Sequence, residues 1–204
     1  MTQFVHLHLH TQYSLLDGAN KIPDVLQRAH ELGQPAIAMT DHGNMHGAVE
    51  FYRAGQKIGI KPIIGCELYL NPVSRFEKKT KHQGGAPTHH LTVLAKNNIG
   101  YHNLCRLSSL AYKEGFYFKP RIDYQILEEY SEGLVVLSGC VSGELAYWVE
   151  LDDMARARSR LESLARIFKD DLYLEVQPHQ DRLQQKVNQA CLLFSKELGL
   201  PLVA

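Results

Sequence analysis

Short β-rich runs alternate with helical periodicities along the whole chain, and this alternation limits the fold more than any other feature. Residues 4–10, 35–40, 61–70, 90–95, 134–138 and 172–176 read as strands, and 201–204 opens a seventh. Helices are predicted over 21–32, 47–58, 101–113, 124–130, 152–169 and 183–198. The first of these places Ile22, Val25, Leu26, Ala29 and Leu32 on one stripe and stops at Gly33. Residues 71–88 form a polar loop rich in Lys, Gly and Pro. Strands that alternate with helices imply right-handed βαβ units and a mainly parallel sheet. Polar residues then decide between an open sheet and a barrel. His8, His10, Asp41, His42, Glu67, Cys140 and His179 fall at or just after strand C-termini. An open sheet spreads those ends along an edge, whereas a barrel gathers them at one mouth. Convergence of this many ligand-type residues favours a barrel, one domain over residues 1–204.

The segment 4–18 carries the densest chemistry. His6, His8 and His10 sit at every second position, so an extended strand presents all three imidazoles on one face. Ser14 and Asp17 follow in a turn. Imidazole and carboxylate are the ligands that zinc and similar divalent metals take. The bland alternative is a His-rich solvent face. An expression tag is excluded, because β-formers interleave the histidines. His6 is expected as a buried support one layer below His8. His30, His46 and His102 read as surface residues, and Cys66, Cys105 and Cys191 as small core residues.

Charge and cysteine content remove several classes. Lys plus Arg equals Asp plus Glu, at 22 each, so no global basic field announces nucleic acid. Any such contact must be local, and Lys78, Lys79, Lys81, Lys119 and Arg121 are the candidates. The four cysteines are far apart and form no CxxC pair, which argues against a zinc finger and a disulfide framework. A cytoplasmic location is therefore expected. No signal-peptide pattern opens the chain, and no apolar run approaches a membrane span.

The pattern His8-x-His10-x-x-x-Ser14, then Thr40-Asp41-His42, then Glu67, then His90 before Leu-Thr-Val-Leu-Ala, resembles the PHP family (polymerase and histidinol phosphatase). Residues 4–8, 13–18, 90–97, 114–123, 133–140 and 185–188 point to the branch that begins bacterial replicative DNA polymerases. The likeness covers essentially the whole chain. It implies a distorted (β/α)7 TIM-like barrel of mainly parallel strands, holding up to three zinc or manganese ions. The implied ligands are His8, His10, Asp17, His42, Glu67, His90 and Cys140. His89 and His90 point to opposite strand faces, and the family pattern selects His90. His10, Asp41 and His42 are the implied catalytic residues, Asp41 as an outer or bridging contact. His6, Ser14 and His179 would line the site. The family's last metal motif, Asp-x-His, is expected beyond Ala204, so the resemblance implies a C-terminally truncated barrel.

The implied activity is metal-dependent phosphoester hydrolysis, namely 3′-to-5′ removal of nucleotides from DNA, with DNA synthesis residing elsewhere in the parent chain. Implied partners are the 3′ end of DNA, the remainder of the polymerase and a proofreading exonuclease subunit, with no membrane. Two alternatives stay open. One is a catalytically silent module that stabilises the polymerase. The other is a small-molecule phosphatase such as histidinol phosphatase, which is not expected to carry residues 116–123.

Overall fold

A computed structural model describes residues 4–79 and 81–204; the side chain of Lys81, one of the candidate phosphate contacts, lies outside what is described. Seven helices and seven strands follow one another: α1 (Ile22–Glu31), β1 (Ala36–Met39), α2 (Ala48–Lys57), β2 (Lys61–Leu70), β3 (His89–Ala95), α3 (Asn98–Lys113), β4 (Arg121–Ile122), α4 (Tyr124–Glu129), β5 (Leu134–Leu137), α5 (Glu144–Glu150), α6 (Met154–Phe168), β6 (Leu172–Glu175), α7 (Arg182–Leu198) and β7 (Leu202–Val203). Helix boundaries follow local chemistry. Asn97, Asp123, Asp153 and Asp181 cap α3, α4, α6 and α7, each side chain accepting a backbone N–H from the first turn. The Asn97 cap starts α3 three residues before the predicted boundary. Helix α5 is an addition to the sequence reading.

The strands pair in the order β1-β2-β3-β5-β6-β7, with β4 attached to β2. All pairings are parallel except those of β3, which runs antiparallel to both β2 and β5. The reason lies in 71–88, whose described residues form a short 3-10 turn and no α-helix to carry the chain back across the sheet. β3 therefore returns from the end at which β2 finished. This reversal puts His90, at the start of β3, at the same mouth as the C-terminal ends of the parallel strands.

Residues 4–10 are not a regular strand. Ala38 N donates to His6 O and Thr40 N to Leu9 O, both at 2.8 Å. Two residues of β1 thus face three of the segment, and a bulge at His8 interrupts the ladder. The segment still borders β1, so the sheet has an extra edge there. The sheet curls until the 4–10 segment reaches the strand next to the far edge: His8 Nδ1 lies 2.7 Å from Glu175 Oε1 on β6. A flat sheet would hold those residues about 24 Å apart, five strand spacings of roughly 4.8 Å.

Inside the curl, alternate residues of each strand share the inner face. Glu67, His90, Thr92 and Glu175 form the upper layer. Below them, Ile63, Leu94, Leu137, Tyr173, Val203 and Leu7 line a cavity of about 760 Å³. Outside, two apolar clusters cover the sheet: one joins α1, α2 and β1 around Ile22, Leu26 and Phe51, and the larger joins β2, β3, β5 and β6 to α3–α7. Among the described residues no helix is long and apolar enough to cross a membrane.

Candidate metal centre

Glu67 is the hub of the mouth. It is wholly buried, yet four imidazoles surround it. Its Oε1 lies 3.1 Å from His8 Nε2, its Oε2 lies 2.9 Å from His90 Nδ1, and His42 Nδ1 contacts Oε2 as well. His10 stacks on His42 with ring centroids 4.0 Å apart and meets His8 edge-on at 5.2 Å. Two groups of donor atoms emerge, His8–His10–Glu67 and His42–Glu67–His90, each with all its atoms within 4.8 Å of one another. Glu67 belongs to both groups, so its two oxygens face two potential cation positions.

The electrostatics agree with this geometry. Burial alone would push the Glu67 carboxyl up, but the imidazoles of His42, His8 and His90 hold it well below the usual carboxylate range. Burial pulls His8 down, yet the Glu175 and Glu67 carboxylates outweigh it and raise its pKa to about 10. Glu67 raises His42 likewise. His10 is lowered by burial, which favours the neutral form that binds metal. Protons on imidazole therefore balance a buried carboxylate where a cation would otherwise do so. Glu67 Oε2, His42 Nδ1 and His90 Nδ1 are buried and make no hydrogen bond, although they lie side by side. Their contacts lack hydrogen-bond geometry, whereas two ring nitrogens converging on one carboxylate oxygen suit a divalent metal.

Neighbouring residues orient these donors. Glu175 accepts from His8 Nδ1, leaving Nε2 toward Glu67, and Gln177 Nε2 donates to the same Glu175 oxygen at 2.6 Å. Thr92 Oγ1 lies 3.4 Å from His8 Nδ1. Ser14, 1 % exposed, lies 3.3 Å from His10 Nδ1 and accepts the His42 backbone N–H. Asp17 reaches His42 Nε2 at 3.0 Å from an exposed position on the rim. Cys140 Sγ lies 3.9 Å from Glu67 Oε1, and burial pushes its thiol up to about 11. Asp17 and Cys140 thus border the two donor groups without joining either.

Three of the expected site residues sit elsewhere, and Asp41 keeps only an outer contact, through Ser14. Asp41, expected as a catalytic contact, is wholly buried, and its oxygens are taken by Thr11 N (2.6 Å), Thr11 Oγ1 (2.7 Å) and Ser14 Oγ (3.0 Å). It braces the turn that carries Ser14. His6, expected as a buried support, is exposed and packs edge-on against Phe4, because the bulge at His8 breaks the alternation. His179 is exposed, since β6 ends at Glu175 and the chain turns outward through Gln177, held by Asn188. Arg121, expected to contact phosphate, is 3 % exposed and donates to the backbone carbonyls of Gly115, Arg75 and Glu77. Lys78, Lys79 and Lys119 are exposed. Glu175 and Thr92 are the additions. A lone acidic residue at the end of the apolar run Leu172-Tyr-Leu-Glu175 was the signal for the first; Thr92 left none.

A curled α/β sheet whose mouth is lined by imidazoles around a shared carboxylate defines a class of metal-site barrels. The chain belongs to the PHP domain family, whose model matches residues 6–179. Its curated relatives narrow the kinship to one kind of protein. The chain is 46 % identical to the DNA polymerase III subunit alpha of Aquifex aeolicus over 205 residues, covering 98 % of this chain and 18 % of that protein. It is 48 % identical to the subunit of the same name from Thermus aquaticus, covering 99 % and 17 %. The chain thus spans less than a fifth of the length of these relatives. Among solved structures, a candidate metal-dependent phosphoesterase from Bifidobacterium adolescentis is similar with a TM-score of 0.56 and 15 % identity, covering 99 % of this chain and 86 % of that one. An amidohydrolase from Chromobacterium violaceum follows at 0.53 and 13 %, covering 97 % and 84 %. At those identities the likeness carries the fold alone.

Proposed function

We propose that this chain is the metal-dependent phosphoesterase module of a bacterial replicative polymerase, removing nucleotides from the 3′ end of DNA. The observation that carries the reading is Glu67, a buried carboxylate shared by two imidazole groups. Zinc or manganese held there would acidify a bound water and neutralise phosphate oxygens as negative charge develops. His8, His10, His42, Glu67 and His90 supply the donors, and Glu175 and Ser14 fix the orientation of His8 and His10. Asp17 and Cys140, at the border of the cluster, are placed to complete a coordination shell. DNA, the remainder of the polymerase chain and a proofreading exonuclease subunit are the partners this reading names.

The test is degradation of a 5′-labelled oligonucleotide in zinc or manganese by the wild type and by His10→Ala and Glu67→Gln. The expected result is stepwise 3′ shortening that chelator abolishes and both substitutions reduce by at least about 100-fold. Absence of metal-dependent shortening in a metal-loaded wild type, or a rate indifferent to both substitutions, would leave the barrel as a structural module of the polymerase.

A further inference from the structure

The hairpin at 115–120 is built in a way that the metal centre does not require. Phe116 and Phe118 are 51 % and 78 % exposed. Phe118 has a φ of 61°, the left-handed region that side-chain-bearing residues rarely adopt. Tyr117 N donates to Lys119 O across it at 3.1 Å and fixes the tip. The base is stapled by the three Arg121 hydrogen bonds, and Arg75 beside it is tied to Glu114 and Asp123. A rigid support therefore holds aromatic rings out in water on strained backbone, an arrangement that folding itself does not reward.

This hairpin adjoins the metal centre. Lys119 Nζ stands 4.4 Å over the Tyr69 ring, and that ring lies 6.2 Å from His42 and 5.2 Å from His90. Pro120 packs on Gly43, the residue after His42, so closely that an added Cβ would come within 2.8 Å of its Cγ. Tyr112 of α3 stacks on Phe116 with an interplanar angle of 19°. Exposed aromatic faces and an ammonium group thus lead to the imidazoles.

We propose that Phe116, Phe118 and Lys119 form a shelf that stacks the unpaired terminal bases of single-stranded DNA and seats the adjoining phosphate before the metal centre. The inference rests on the reading of that centre as a DNA phosphoesterase and names the subsite through which its substrate enters. Aromatic faces accept any base, and a neighbouring ammonium meets the backbone, which is the chemistry of sequence-tolerant single-strand binding. The exposed Lys119 ammonium at the shelf, beside the imidazoles of the mouth, favours a polyanion over an apolar protein segment as the occupant.

The test is fluorescence anisotropy of a 5′-labelled oligodeoxythymidylate with the chain in EDTA, so that binding is read apart from cleavage. Phe116→Ala and Phe118→Ala are each expected to weaken binding about five- to 100-fold. Phe118→Gly is the decisive variant. Glycine relieves the positive φ, so thermal stability holds or rises while affinity falls as far as in Phe118→Ala. Phe118→Trp restores affinity, and Lys119→Gln lowers the salt dependence of log Kd by about one. Leu192→Ala, an apolar site on α7 about as exposed as Phe116, leaves binding unchanged. The shelf is refuted if Phe118→Gly binds DNA as the wild type does, or if Leu192→Ala loses as much. Oligonucleotide binding that depends on Phe118, without metal-dependent shortening, would uphold the shelf and refute the phosphoesterase reading. Shortening by Phe118→Gly at the wild-type rate and affinity would do the reverse.

Discussion

Replacing Arg121 by Met tests how the ground beside the metal centre is held. The guanidinium is buried and makes three hydrogen bonds, to the carbonyls of Gly115 (3.0 Å), Arg75 (3.1 Å) and Glu77 (2.6 Å). Bonds from a charged donor contribute about 1.5–3 kcal/mol each, so the low end gives roughly 4.5 kcal/mol for three. Two terms reduce it. The Glu77 carbonyl belongs to a half-buried residue and regains water, and the folded state no longer strips water from a cation. The net loss is then about 3 kcal/mol, dominated by two buried carbonyls left without donors. For a chain of this size that lowers Tm by about 6–12 °C. Arg121→Lys should recover less than half, because one ammonium lacks the planar fork that spans three carbonyls. Thermal unfolding by circular dichroism measures the shift, and hydrogen exchange across 115–122 should quicken with it. A Tm drop under about 2 °C with unchanged exchange would refute this account of Arg121 and return its guanidinium to solvent as a phosphate contact.

Three other outcomes follow from the same contacts. Glu175→Gln keeps the shape of the side chain but removes the charge that orients His8, so affinity for zinc should fall about 10- to 100-fold in a chelator-competition titration while the fold persists. Gly43→Ala forces a side chain onto φ +63 and into Pro120 and Tyr69, and should cost more than about 1 kcal/mol in urea denaturation. Metal binding should release protons, since His8, raised to about 10 by Glu175 and Glu67, carries a proton that a cation displaces. Apparent affinity then weakens as pH falls, and titration calorimetry in buffers of different ionisation enthalpy should show a heat that varies with the buffer.

The strand–helix alternation and the shared face of His8 and His10 were legible in periodicity, whereas His42, Glu67 and His90 were named as ligands by the resemblance to the PHP family. The structure brings those five side chains together at one mouth; strand alternation set His89 and His90 on opposite faces, and the family pattern chose between them. Sequence reasoning missed where local order breaks. The bulge at His8 turned His6 outward, against simple alternation. The reversal of β3 was readable in the helix-free stretch 71–88, yet the parallel rule was applied across it. Arg121 looked like a surface cation because charge type says nothing of burial; only the folded hairpin shows three carbonyls converging on it. Asp41 beside His42 resembled chemistry but serves Thr11 and Ser14, a pairing across 27–30 residues that no local pattern displays.

Among the described residues, Glu67 is the one carboxylate common to both candidate metal positions. Metal content after equilibrium dialysis against manganese or zinc, read by elemental analysis, tests this sharing most directly. Glu67→Ala should empty both positions, whereas His90→Ala should spare the one formed with His8 and His10. Retention of the wild-type metal content by a folded Glu67→Ala chain would contradict it.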